Sequence, residues 1–213
     1  MENQTVCPNC NESIKTGWSS NRLLDARYTS FINYVFNKKQ STYCDKCGKK
    51  LLDDAKTALD KETAKYLRFL EQNISYVRII TTHVPYNWQY ESISIVTGQS
   101  VTGTGAISEF KTGFSDFFGG QSGSFNKKLS NGEQLCFSQL RAKAINLGGN
   151  AIIGTDIDYG DVGEGKGMLM VCAAGTAIKI INTDILGDDS KIIDQMCVMS
   201  KKLIEIDKAQ ESI

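Results

Sequence analysis

The sequence predicts an α+β protein, and three observations carry that prediction. Residues 147–181 read as a β-hairpin entered from a helix: two apolar runs of strand length flank a loop with Gly160, Gly163, Gly165 and Gly167, and Gly148 offers a helix stop ahead of them. Residues 49–73 contain neither Gly nor Pro and are rich in helix formers. Two Cys-x-x-Cys pairs, Cys7 with Cys10 and Cys44 with Cys47, set a small N-terminal module apart. The expected organisation is a four-cysteine module at 1–50, a linking helix at 51–73, a sheet-and-helix domain at 74–185 and a C-terminal helix at 186–213. A chain of 213 residues has room for one full domain and something small.

In the N-terminal module, a Cys-x-x-Cys turn lets two thiolates converge on one ion while turn amides donate to the sulfurs. Gly48 suits the tight geometry after the second pair. Two such turns make the closed four-cysteine arrangement of structural zinc, so one zinc per chain is expected at Cys7, Cys10, Cys44 and Cys47 in a zinc-ribbon-like segment. The spacer, residues 11–43, is longer than the usual ~15–20 residues, and a redox dithiol is the competing reading. Four thiolates leave no coordination position for water, which argues against a catalytic zinc. Fifty or so residues rarely hold a core unaided, whereas structural zinc supplies an apparent ~10–16 kcal/mol at neutral pH. Between the pairs, Leu23, Leu24, Tyr28, Phe31, Ile32 and Val35 predict a short helix over 22–36 that packs on the site.

The linking helix carries one apolar stripe, Leu52, Ala55, Leu59, Tyr66 and Phe69, interrupted by Lys61 and Glu62. From Ile74 the pattern turns to β, with strands expected at Tyr76–Thr82 and Ser92–Thr102 around a loop holding Pro85 and Trp88. His83, the single histidine, reads as a hydrogen-bonded loop residue. Neither Gly103-Thr104-Gly105 nor the run 119–124 completes a dinucleotide or P-loop motif, so these glycines read as turns around a short aromatic helix, Glu109–Phe118. Ser130 offers a capping box, yet Phe125, Leu129, Cys136, Leu140, Ala144 and Leu147 keep helical spacing through it; one helix from about Gly123 is expected, with Gly132 a close-packing point. In the hairpin, Asp156 and Asp158 share one strand face. Paired carboxylates suit a hard cation or acid–base chemistry, but no nucleophile or histidine joins them, and a solvated face or subunit salt bridge is the expectation.

The second hairpin strand is apolar on both sides: Met168, Met170, Cys172 and Ala174 on one, Leu169, Val171 and Ala173 on the other. One helix layer covers one face only, so a second copy of the chain is expected over the other. The C-terminal helix has Ile192, Met196, Met199, Leu203, Ile206 and Ile213 in a heptad, a stripe suited to helix pairing or a short coiled coil.

Residues from about Tyr76 to Ile180 resemble the YbjQ family, an uncharacterised group with a heavy-metal-binding label. The likeness rests on Ile80-Thr81-Thr82, Val96-Thr97-Gly98, the run Asp116-Phe117-Phe118-Gly119-Gly120-Gln121-Ser122-Gly123, Leu147-Gly148-Gly149-Asn150-Ala151, Ile157-Asp158-Tyr159, Met168-Leu169-Met170-Val171 and Gly175-Thr176-Ala177. The resemblance implies a small α+β subunit assembled as a pentameric ring. Gln99 stands where an acidic residue commonly follows the glycine, and Gln121 where arginine is common, so both are candidate ion or ligand contacts that differ from relatives.

Lys plus Arg and Asp plus Glu balance at 24 each, which removes any global electrostatic argument for nucleic acid or an anionic membrane. No apolar run approaches the ~18 residues of a membrane span, no signal-peptide pattern is present, and paired rather than scattered cysteines fit a reducing compartment, so a cytoplasmic protein is expected. The function expected is a non-enzymatic, oligomeric metal-binding or scaffold protein that displays zinc modules on a ring, with protein partners reached through the zinc ribbon or the C-terminal helix. The alternatives are a metal-responsive sensor, a nucleic-acid binder through Lys46, Lys49 and Lys50, and an enzyme using Asp156 and Asp158.

Overall fold

The computed structural model describes residues 5–14, 21–102, 125–161 and 169–213. The element order is α1 (Ala26–Phe36), α2 (Asp45–Asn73), β1 (Arg78–Ile79), β2 (Tyr90–Thr102), α3 (Phe125–Asn146), β3 (Ala151–Asp161), β4 (Leu169–Ile180) and α4 (Asp189–Glu211), with 3-10 turns at Ile74–Tyr76 and Thr183–Leu186. This is the mixed α+β fold expected. The chain forms two compact units, Met1–Tyr66 with Lys202–Ile213, and Leu67–Lys201. No helix among the described residues is long and apolar enough to cross a membrane.

In the larger unit a four-stranded sheet has the order β1-β3-β4-β2. The β3–β4 hairpin and the β4–β2 pair are antiparallel, β1 runs parallel to β3, and α3 makes the crossover from β2 to β3. Alternation then decides which side chains meet the helix. Val96, Val171, Ala173 and Ala177 lie under α3 residues Cys136, Leu140 and Ala144, all buried. The approach is close because the strand residues are small: a Cβ on Gly98 would sit 2.5 Å from the Cys136 carbonyl oxygen.

The helix expected from about Gly123 is the single helix α3, and the capping-box start at Ser130 is not used. Gly132 faces the sheet, where a Cβ would lie 3.1 Å from Val171. The helix stops as expected at Gly148, whose φ of +83° carries the chain out while Gly149 donates to the Ala144 carbonyl at 2.8 Å. Leu147 does not belong to the buried face; it follows the last helical residue and is exposed. The strand expected at Tyr76–Thr82 is shorter, because 74–76 form a 3-10 turn and the pairing beyond Ile79 is broken at Gly154 (φ +58°). Amide bonds resume on either side of that bulge, from Thr155 to Ile80 at 3.0 Å and from Gly154 to Thr82 at 3.1 Å.

In the smaller unit α1 begins at Asp25, whose carboxylate accepts from the Arg27 amide, and ends at Asn37 in the left-handed region. Phe31 and Ile32 are buried as expected, with Tyr43, Ala55 and Leu59; Leu23 is exposed instead. The α2 helix opens at Asp45 rather than Lys49, enclosing part of the second cysteine pair. The α4 stripe is rotated from the heptad: Ile193, Met196, Cys197 and Ser200 are buried, and Ile192, Met199 and Leu203 half-buried. The Ser200 hydroxyl donates to Asn146 at 2.5 Å and the Cys197 thiol to the Gly149 carbonyl at 3.6 Å, so this part of the helix is occupied within its own unit. Further along, Lys202 donates to the Tyr66 hydroxyl at 3.4 Å and Gln210 to Asp60 at 3.5 Å.

Candidate metal centre

The first cysteine pair sits on a hairpin turn. Cys7 N–H donates to the Glu12 carbonyl at 2.8 Å, Asn11 N–H donates to the Cys7 carbonyl at 2.9 Å, and Asn11 takes a left-handed φ of 58° to close the turn. The second pair opens a helix rather than a second β-turn. Cys44 pairs with Leu23 in an antiparallel bridge, Asp45 N–H donates to Arg22, and α2 starts immediately, placing Cys47 one turn in. Gly48 suits the close packing here, since a Cβ would lie 2.9 Å from the Leu24 side chain and 3.1 Å from Tyr43. The long spacer is used by α1, between the two cysteine pairs.

These elements bring the four sulfurs within 4.8 Å of one another. Sγ–Sγ distances are 3.5 Å for Cys10–Cys44, 3.7 Å for Cys7–Cys47 and 3.7 Å for Cys44–Cys47. Four sulfurs at a metal–sulfur distance of ~2.3 Å in a tetrahedron stand about 3.8 Å apart. The donor set therefore fits one soft, tetrahedral ion. All four cysteines are free thiols.

Electrostatics favour a cation as well. Burial alone raises the Cys44 thiol, but the Cys47 amide, the Asn21 side chain and the neighbouring thiols donate to its thiolate and bring it down to about 6. Cys7 is also lowered: burial opposes it, and the amides of Asn9, Cys10 and Cys44 prevail. Cys10 moves the other way. The Glu12 amide lowers it, but burial and the three neighbouring sulfurs push it up to about 12. Cys47 is raised too, chiefly by burial. Ionising two sulfurs thus opposes ionising the others, and a cation among them relieves that repulsion.

Two asparagines that the spacing could not identify support the site. Asn9 Nδ2 donates to Cys47 Sγ at 3.5 Å. Asn21 accepts from Lys46 N–H at 3.4 Å and donates to the Ser13 carbonyl at 3.4 Å, tying the hairpin to the start of α2. The lysines considered for nucleic acid are partly committed: Lys46 pairs with Glu12 at 2.6 Å and Lys49 with Asp45 at 3.8 Å.

The remaining candidates are not brought to the cysteines. Asp156 and Asp158 are exposed on the outer face of the sheet, opposite Ala174 and Cys172. Gln99 pairs with Cys172 from the other side, so Gln99, Cys172 and Asp158 form one row across three strands. Within the described residues no metal cluster includes that row. His83 is an exposed loop residue whose ring packs against Gly154, 3.1 Å from where a Cβ would stand. Gln121, the 119–123 turn and the aromatic stretch 109–118 lie outside the described residues.

Fold and centre together define an α+β protein with a candidate thiolate metal site. Residues 77–181, which exclude the cysteine module, match the YbjQ family model, whose description reads "Putative heavy-metal-binding". A crystal structure of a protein with unknown function of the DUF74 family, from Pediococcus pentosaceus, is similar over 49% of this chain and 97% of that chain, at 22% identity and a TM-score of 0.32.

Proposed function

We propose that this chain is a non-enzymatic zinc-binding scaffold: a structural zinc at Cys7, Cys10, Cys44 and Cys47, a linking helix, a ring-forming YbjQ-like subunit over residues 74–185 and a C-terminal helix. The observation that carries the metal part is the convergence of four thiol sulfurs, with spacings that match a tetrahedral thiolate site. Zinc, with a filled d-shell, makes no geometric demand beyond the one these sulfurs meet. Four protein ligands saturate it, so its role is to hold the module together rather than to activate water. The ring part is supported by the half-exposed row Met170, Cys172 and Ala174, and by exposed Ile95 and Val101 on the neighbouring strand. A pentamer would present five zinc modules together, so weak contacts by each would add through effective concentration.

Elemental analysis of protein purified under reducing conditions, combined with native mass spectrometry, tests both parts. One zinc per chain, lost in Cys44→Ser, and a pentameric mass are the expected results. A chain that takes up no metal sinks the first part, and a monomer at micromolar concentration sinks the second.

A further inference from the structure

The four sulfurs are not equivalent. Cys7 and Cys44 are fully buried, whereas Cys10 and Cys47 are only half-buried. The two edges are also held by different donors: Cys7 Sγ receives a backbone amide, that of Cys44 at 3.3 Å, whereas Cys47 Sγ receives the side-chain Asn9 Nδ2 at 3.5 Å. An N–H donor withdraws charge from a thiolate and lowers its nucleophilicity, so on the more exposed edge that restraint comes from a side chain.

We infer that Cys10 and Cys47 form the open edge of the centre, the sulfurs through which metal is exchanged and thiol reagents react, with Asn9 as the positioning residue that restrains Cys47, while Cys7 and Cys44 form the fixed edge. The inference rests on the metal reading above. Exchange with a chelating acceptor replaces one metal–sulfur bond by one metal–acceptor bond at a time, without change of oxidation state, and each released thiolate takes up a proton from water. With Cys10 and Cys47 given up to the acceptor, Cys7 and Cys44 would still join the hairpin to the start of α2. The bridge from Lys46 to Glu12 and the Asn21 contacts hold the same two segments.

The full-length, zinc-loaded protein is treated with N-ethylmaleimide, and the adducts are located by peptide mass mapping over time. A chromogenic chelator follows zinc release in parallel. In the labelling step the sulfur adds to the maleimide double bond and a solvent proton completes the product. Cys10 and Cys47 are expected to label first, and Asn9→Ala to speed both Cys47 labelling and zinc release about tenfold, the lower end of the effect of losing a supporting contact to a ligand. Lys49→Ala, which removes only an exposed ion pair to Asp45 within α2, is expected to leave the order unchanged. First labelling at Cys7 or Cys44, or an Asn9→Ala protein that labels Cys47 at the original rate, overturns the inference while leaving the metal reading intact. A protein that takes up no zinc overturns both.

Discussion

At Asn150 one side chain stands in for a strand. Its Oδ1 accepts from the Ile180 amide at 2.7 Å, its Nδ2 donates to the Ile180 carbonyl at 3.2 Å, and its own amide donates to Ile178 at 2.9 Å, all in a position 1% exposed. Asn150→Ala would leave both backbone groups of Ile180 buried and unpaired. Chemical denaturation is expected to show a loss of about 3 kcal/mol, the sum for two such groups; a loss near zero would mean that water replaces the amide. The sequence carried Asn150 only as part of a family-like run, since nothing in a Leu-Gly-Gly-Asn-Ala string says which strand its amide will meet. Cysteine spacing was more informative, because each Cys-x-x-Cys pair sets two thiols side by side as a local property, whereas Asn9 and Asn21 became visible only once the two pairs were placed. The same cluster predicts a pH dependence. The folded-state value of Cys44 lies below its ordinary 9.0, at about 6, so its contribution to the stability of metal-free protein is full above pH 9 and is lost as pH falls through 6. Thiolate absorbance of the reduced apo-protein is expected to begin rising near pH 6, and that first step is expected to vanish in Cys44→Ser.

Among elements, α3 does more than cover a face. Among the described residues β2 is an edge strand, and its outward backbone groups at Gln99 are both met by the side chain of Gln139, which accepts from Gln99 N–H at 2.9 Å and donates to Gln99 C=O at 3.0 Å. One turn along, Lys143 donates to the Thr97 carbonyl at 2.7 Å. Side chains of the crossover helix thus occupy groups that would otherwise template another strand. Gln139→Leu combined with Lys143→Ala is expected to leave the far-ultraviolet circular dichroism unchanged while raising slow light scattering and thioflavin fluorescence on storage. Equal scattering by variant and parent would show that the edge is protected without these contacts. The helix was legible because its apolar spacing runs through Gly132 without a break, and small residues at 98, 132 and 175 leave room for close approach. Its capping of the edge was not, since strand order is set by the crossover and not by any local pattern. Similarly, the C-terminal stripe was legible as helical, but a heptad and a 3.6-residue period differ by little over three turns, and packing chose Ile193 over Ile192.

For the whole molecule, the consequence lies in the face that α3 leaves open. The strand read as apolar on both sides has Val171, Ala173 and Ala177 buried, while Met170, Cys172 and Ala174 are half-exposed beside Ile95, which is 71% exposed, and Val101. Sequence alone could raise the expectation of a second cover because both alternating sets are apolar, but not place Asp156 and Asp158 at the border of the same surface. Assembly through this face would remove apolar area worth roughly 25 cal/mol per Å² and would bring those carboxylates near the boundary. Ile95→Glu with Val101→Glu adds two like charges to a surface already bearing two aspartates, at positions that cost little in an isolated subunit because they face solvent. Native mass spectrometry is expected to show the assembled parent falling to monomer in this variant, with an unchanged unfolding midpoint per subunit and zinc still bound. Retention of the full assembly by the double variant would place any contact between copies away from the open face.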